Sequence, residues 1–182
     1  MAIFKLQTGR QSWRSSRGNQ FPRWRWKHSP ATDGVFRKAR AAAFTLIIVY
    51  RGLHCPICKS YLADLEAKLA EFEKRGVEVI ALSTDTRERA EKAKVEWGLK
   101  TLRLGYELPF ATARAWDLYI STAIREGEPA EFSEPGLFLV KPDGSLFFTV
   151  RASAPWARPP LDQILRGIDV ALERKMPARG EA

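Results

Sequence analysis

From residue 44 onward the chain moves between two hydrophobic rhythms. Phe44-Thr45-Leu46-Ile47-Ile48-Val49-Tyr50 carries no charge and is rich in β-branched types. A run without a polar face reads as a strand buried on both sides, as in a parallel sheet. Behind it Tyr61, Leu62, Leu65, Leu69 and Phe72 recur at helical spacing among Asp64, Glu66, Lys68, Glu71 and Glu73, the pattern of an amphipathic helix. This predicts a helix over 58–75, stopped by Gly76 at the C′ position. Residues 77–83 read as a second buried strand. Thr84 or Asp85 is the expected cap of a charged helix reaching about Trp97, with Gly98 ending it. A short third strand is expected at 102–104, and Pro109 opens a helix carrying Phe110, Ala113, Trp116 and Leu118. Residues 120–134, with Gly127 and Pro129, read as a long connection. Pro142-Asp143-Gly144 turns a hairpin between 137–140 and 146–150. Pro159-Pro160 starts a last helix with Leu161, Ile164, Leu165, Ile168 and Leu172 on one face. The order β-α-β-α-β-α-β-β-α predicts an α/β fold whose sheet is parallel at the crossovers and antiparallel at the final hairpin.

Composition fits a globular protein, with 45% hydrophobic and 28% charged residues. No apolar run approaches the roughly 20 residues a membrane-spanning helix needs. The first 36 residues hold no apolar stretch after a basic start, so the expected location is cytoplasmic. The net charge of +9 is concentrated: residues 1–40 hold ten Lys/Arg and one acid, Asp33, while the remainder is balanced. This predicts a basic arm at 1–40, one domain at 41–175 and a polar tail at 176–182. Within the arm, 11–20 reads as a loop. Phe21-Pro22-Arg23-Trp24-Arg25-Trp26 alternates aromatic with basic, which suits one arm of a hairpin. The same interleaving suits polyanion contact, and an Arg/Ser-rich, acid-poor start is also the composition of a mitochondrial presequence. Nucleic-acid binding is expected to be weak and non-specific at most, and no membrane partner is expected.

The candidate chemistry lies between the first strand and first helix. Cys55 and Cys58 are the only two cysteines, and Pro56 follows Cys55 where a fixed φ and missing N–H suit the first helical position. Cys55 is then at the helix mouth and Cys58 about one turn inside. Unpaired N–H groups and the positive dipole end favour a thiolate there, and a second thiol one turn on can resolve a mixed disulfide. Zinc wants four ligands, and the chain offers only His28 and His54 as further soft ligands, with His54 adjacent to Cys55. The pattern points to a redox pair, with two inert buried cysteines as the bland alternative. No metal and no cofactor beyond the redox-active Cys55–Cys58 disulfide are expected.

Tyr50-Arg51-Gly52-Leu53-His54-Cys55-Pro56-Ile57-Cys58, followed by the strand ending Ser83-Thr84-Asp85 and by Phe138-Leu139-Val140-Lys141-Pro142-Asp143-Gly144, resembles the peroxiredoxin-like branch of the thioredoxin fold. That branch is the alkyl hydroperoxide reductase/thiol-specific antioxidant (AhpC/TSA) superfamily, and the resemblance covers about residues 42–174. It implies a thioredoxin-like three-layer fold, a central mixed sheet with helices on both faces. In peroxiredoxins the active loop reads Pro-x-x-x-Thr-x-x-Cys. Here Arg51 stands at the Pro, Cys55 at the Thr and Cys58 at the peroxidatic cysteine. The peroxiredoxin Arg before the late strand is replaced by Pro135, which matches the cis-proline that lies beside the dithiol in thioredoxins; an ordinary trans proline is the alternative. The buried Asp of the thioredoxin first strand has no counterpart in 44–50, leaving His54 as a proton acceptor or a cover for the loop.

On these residues the first expectation is a thiol-disulfide oxidoreductase of antioxidant type, Cys55 attacking and Cys58 resolving, with Pro56, Pro135, Arg51 and His54 shaping the site. The alternative is a thiol peroxidase reducing hydroperoxides, with Cys58 peroxidatic, Cys55 resolving and Arg51 the substitute donor. A further alternative is a non-catalytic binding module acting through the basic arm. The expected partners are a disulfide or hydroperoxide substrate and a thioredoxin- or glutathione-type reductant.

Overall fold

Strand β1 (Phe44–Val49) is almost wholly buried, and the rest of the chain is layered around it. The computed structural model describes residues 42–179; the basic arm, including Trp24, Trp26 and His28, lies outside the described residues. β1 pairs in parallel with β2 (Val77–Leu82) on one side and antiparallel with β6 (Gly136–Val140) on the other. β3 (Arg103–Gly105) continues the parallel half, and β7 (Leu146–Arg151) closes the antiparallel half. The resulting order is β3-β2-β1-β6-β7, the mixed sheet expected from the element order.

Two successive crossovers wind in the same direction, so α1 (Pro56–Lys74) and α2 (Arg87–Glu96) fall on one face of the sheet. Leu46, Ile48 and Tyr50 point to that face and pack with Leu62, Leu65 and Phe72 of α1, with Ala93 and Trp97, and with Leu161, Ile164 and Ile168 of α4 (Leu161–Glu173). The alternate residues Ile47 and Val49 meet the other cluster, where Phe138 and Val140 pack with Ala113 and Trp116 around α3 (Phe110–Ala115). With both faces covered, the pleat puts the β1 side chains other than the half-buried Thr45 into apolar layers. This is the three-layer arrangement the thioredoxin-like resemblance implied.

The structure corrects the expected elements in two places. The connection at 120–134 contains β4 (Ile120–Thr122) and β5 (Glu131–Ser133), paired antiparallel in a small second sheet. Three-residue strands with one exposed end carry too little alternation to be read from sequence. The α2 cap is Thr86, whose Oγ1 accepts the Arg89 amide at 3.4 Å, rather than Thr84 or Asp85. Helix α1 begins at Pro56 with Cys55 as its N-cap, as the placement of Pro56 after Cys55 predicts. Gly76 and Gly98, both at φ +69, stop α1 and α2 as the pattern predicts.

Phe72 fills the space between α1 and the sheet and is fully buried. Phe72→Ala is expected to lower unfolding stability by about 3–5 kcal/mol, through lost apolar contact and the cavity left behind. Urea unfolding of the reduced protein measures this.

Candidate active site

The site is a turn that carries the chain from β1 into α1. Tyr50 prolongs β1, its amide donating to the Leu82 carbonyl at 2.9 Å. Gly52 then takes φ +130, a conformation that L side chains rarely adopt. The Cys55 amide donates back to the Gly52 carbonyl at 3.1 Å, and the Leu53 amide donates to Asp85 Oδ2 at 2.7 Å. Cys55, with extended φ and ψ, is the N-cap of α1, and Pro56 occupies the first turn as expected. The Cys55 sulfur accepts the Cys58 amide at 3.2 Å, the bond that Ser or Asp side chains make at ordinary N-caps. No acidic residue stands in the first turn of α1, so the positive helix end acts on the sulfur alone.

Both cysteines are free thiols and nearly inaccessible, at 1% exposure for Cys55 and 0% for Cys58. A guanidinium comes to them from the loop ahead of α4. Arg158 Nη2 donates to Cys58 Sγ at 3.4 Å, while Arg158 Nε donates to the Pro155 carbonyl at 2.9 Å. The same guanidinium lies 4.7 Å over the Tyr61 ring, and the Tyr61 hydroxyl donates to the Pro159 carbonyl at 2.9 Å. Arg158 Nη1 is buried and has no hydrogen-bond partner among the described residues.

These contacts split the two thiols. The Cys58 thiol and amide both donate to the Cys55 sulfur, and Arg158 and Arg51 add positive charge. Against the cost of burial, they pull the Cys55 thiol down to about 6. Burial, and the proton it gives to Cys55, hold the Cys58 thiol well above its usual range. Near neutral pH the pair therefore shares one proton, with Cys55 as thiolate and Cys58 as thiol.

The remaining predicted site residues surround this pair at different distances from the chemistry. Arg51 lies over the Phe132 ring at 4.6 Å, with Nε 3.3 Å from Glu134 Oε2 and an Nη 3.8 Å from Glu128 Oε1. Its charge acts on Cys55, but the guanidinium bonded to sulfur belongs to Arg158. His54 stacks on Phe132 at 4.6 Å. Burial, then the Arg51 charge, lowers its pKa, so the ring is neutral near pH 7. Neither ring nitrogen has a hydrogen-bond partner among the described residues. Pro135 lies just before β6, whose Gly136 is paired with Val49, so it stands at the end of the sheet where the cysteine turn leaves. The Glu134–Pro135 peptide is trans, and no cis bond occurs among the described residues. The cis-proline edge of thioredoxins is thus not reproduced. Among the described residues no group of three His, Cys, Asp or Glu is placed to hold a metal, and no helix is long and apolar enough to cross a membrane.

Arg158 and Asp85 were not legible as site residues. Arg158 is 100 residues from Cys58, and nothing in local spacing ties the two together. Asp85 read as a helix cap because it follows a strand and precedes a charged helix; its burial was the missing fact.

A strand, a turn, a capping cysteine and a helix laid on this mixed sheet define a protein of the thioredoxin fold. The sequence profile of the AhpC/TSA family matches residues 18–148, and the chain belongs to that family of thiol-based oxidoreductases. The match begins inside the stretch assigned to the basic arm and ends before α4. Solved peroxiredoxins share the fold. A cysteine-to-serine mutant of peroxiredoxin 6 from Arenicola marina aligns with TM-score 0.62 and 21% identity over 78% of this chain, which spans just 66% of that one. The reduced 2-Cys peroxiredoxin of Plasmodium vivax aligns with TM-score 0.61 and 16% identity, over 76% of this chain and 70% of that one. Peroxiredoxin Q of Xanthomonas campestris gives TM-score 0.58 and 23% identity, over 73% of this chain and 82% of that one. Among curated proteins no sequence matches.

The split between the thiols sets a pH dependence. A lowered thiol is ionised above its own pKa, so alkylation of Cys55 in the reduced protein should rise through about pH 6. An ordinary thiol rises near about 8.5. Cys58 should label only at alkaline pH. Iodoacetamide labelling with site assignment by mass spectrometry checks both.

Proposed function

We propose that the chain is a two-cysteine thiol peroxidase that reduces a small hydroperoxide at the mouth of α1. The observation that carries this reading is the buried, unpartnered Nη1 of Arg158 beside the two sulfurs. A preorganised donor in a buried site, with its position fixed by Pro155 and Tyr61, suits the oxygen of a peroxide on which charge develops as the O–O bond breaks. Family membership supports the same substrate class. The burial of both sulfurs favours a reactant of a few atoms over a folded disulfide partner.

The Cys55 thiolate attacks the terminal hydroxyl oxygen of the hydroperoxide. The S–O bond forms, the O–O bond breaks, and Cys55 becomes a sulfenic acid. The departing alkoxide, or hydroxide when the substrate is hydrogen peroxide, takes the proton that Cys58 holds. Cys58, now a thiolate beside the Arg158 charge, attacks the Cys55 sulfur. The S–S bond forms, the S–O bond breaks, and the departing hydroxide takes a proton from solvent to become water. Two equivalents of a small thiol of the glutathione type, able to reach the buried pair as the peroxide does, reopen the disulfide. Cys55 thus attacks, although Cys58 occupies the family's peroxidatic position.

A second reading keeps the same couple as a disulfide reductase. It is favoured by one feature, the absence of the peroxiredoxin Thr and Arg from their usual positions, where Cys55 and Pro135 stand. Single-turnover stopped flow on the reduced protein, following tryptophan emission, separates the two. Hydrogen peroxide is expected to oxidise the pair faster than cystamine, and Cys58→Ser should leave a sulfenic acid that dimedone traps on Cys55. Faster oxidation by cystamine would establish the disulfide reductase instead. A sulfenic acid trapped on Cys58 in Cys55→Ser, at the wild-type rate, would return the attacking role to the family position.

Arg158→Met keeps much of the apolar stem and removes the donor. It is expected to slow peroxide oxidation about 10²-fold, the range found for deleting one preorganised donor, while cystamine oxidation changes far less. Equal slowing of both reactions would contradict the role given to Nη1.

A further inference from the structure

Asp85 is among the most deeply buried acids of the described residues, at 2% exposure, and the redox chemistry above does not use it. It sits just past β2, two residues from the turn of the chain into α2. Its backbone is fixed on both sides: its amide donates to Ser83 Oγ at 3.3 Å and its carbonyl accepts the Glu107 amide at 2.8 Å. The carboxylate is therefore mounted on the rigid end of the parallel sheet. Oδ1 pairs with Arg89 Nε at 2.9 Å, and Arg89 Nη2 donates onward to the Gly127 carbonyl at 3.3 Å. Oδ2 is left for the Leu53 amide at 2.7 Å.

Leu53 is inside the turn closed by the Gly52 carbonyl and the Cys55 amide. Gly52 comes so close that a Cβ built there would lie 2.7 Å from Asp85 Oδ2. The cysteine turn thus rests directly on a carboxylate supplied by a neighbouring strand, and glycine is what lets it approach. On the far side of Cys55 the sulfur is met by the Cys58 thiol and amide, with Arg158 and Arg51 supplying charge. Those donors reach the sulfur only while the turn delivers it to the end of α1.

We propose that Asp85 is the positioning residue for the Cys55 sulfur. By holding the Leu53 amide it fixes the turn that makes Cys55 the cap of α1, and through that cap it sets the reactivity of the thiolate. The inference rests on the reading of Cys55 as the attacking sulfur, but its test needs no peroxide. A displacement of the sulfur by a fraction of an ångström weakens every donor aimed at it, and placement errors of that size are costly at reacting centres.

The test is iodoacetamide labelling of Cys55 across pH in the full-length reduced protein. Asp85→Ala is expected to move the labelling midpoint up by about one pH unit, which lowers labelling at pH 5 about tenfold. Asp85→Asn keeps an oxygen for the Leu53 amide and should restore the midpoint to near the wild-type value. Gly52→Ala pushes the same turn away with Asp85 intact, and should reproduce the upward shift if Asp85→Ala fails to fold. Glu66→Ala is the control for destabilisation alone. Glu66 takes the amides of Lys100, Thr101 and Leu102 far from the cysteine turn, so its loss should lower stability and leave the midpoint in place. An unmoved midpoint in folded Asp85→Ala or Gly52→Ala would overturn the proposal, as would an equal shift in Glu66→Ala. A shifted midpoint with no peroxide turnover in the wild type would instead remove the peroxidase reading and leave the positioning role intact.

Discussion

The structure depends on the burial of β1 on both faces. A strand with no solvent side must be central, so it needs a partner on each edge and a layer of helices above and below. Because the sheet ends together at the Val49 side, the chain leaving β1 enters a small region that also receives the end of β2 and the start of β6. The cysteine turn is built there from three sources: its own glycine, the carboxylate after β2 and the segment ahead of β6. The site is a consequence of where a wholly apolar strand has to stop.

Much of this was legible in the sequence because it is written locally. The seven uncharged residues ending at Tyr50, the two cysteines three apart, Pro56 behind Cys55 and Gly76 after the amphipathic run each act over a single turn or strand. Propensity and capping chemistry therefore fix the β1–turn–α1 unit without knowledge of the rest. What was not legible is long-range or very short. Arg158 reaches Cys58 through a proline-bounded loop whose course depends on how α4 docks. Asp85 had two local roles open to it, and Thr86 took the capping one. β4 and β5 form through a pairing that also positions Glu134 and Phe132, and three residues of each strand contain no readable period. Arg51 was read as a site-shaping residue and the substitute donor of the peroxidase alternative; Glu134 and Glu128 hold its guanidinium over Phe132, from where its charge acts on Cys55.

The departures from the peroxiredoxin pattern look different once the geometry is known. Cys55 replaces a threonine, and its sulfur does at the helix end what a hydroxyl oxygen does at many N-caps. Pro135 replaces an arginine, and a guanidinium arrives from another element. A sulfur acceptor and a guanidinium donor are thus supplied from new positions, and both converge on the mouth of α1.

The capping bond between Cys55 Sγ and the Cys58 amide exists in the reduced protein, where the sulfur is anionic. Oxidation to a disulfide removes that charge and with it the best acceptor for the helix end. The reduced state is therefore the better-capped one, and stabilising a dithiol relative to its disulfide raises the reduction potential of the couple. In the proposed couple, a cysteine placed where helices ordinarily use serine or aspartate biases the disulfide toward being reduced. If the proposed couple cycles, a weak thiol donor has less of a thermodynamic gap to overcome in returning it to the dithiol.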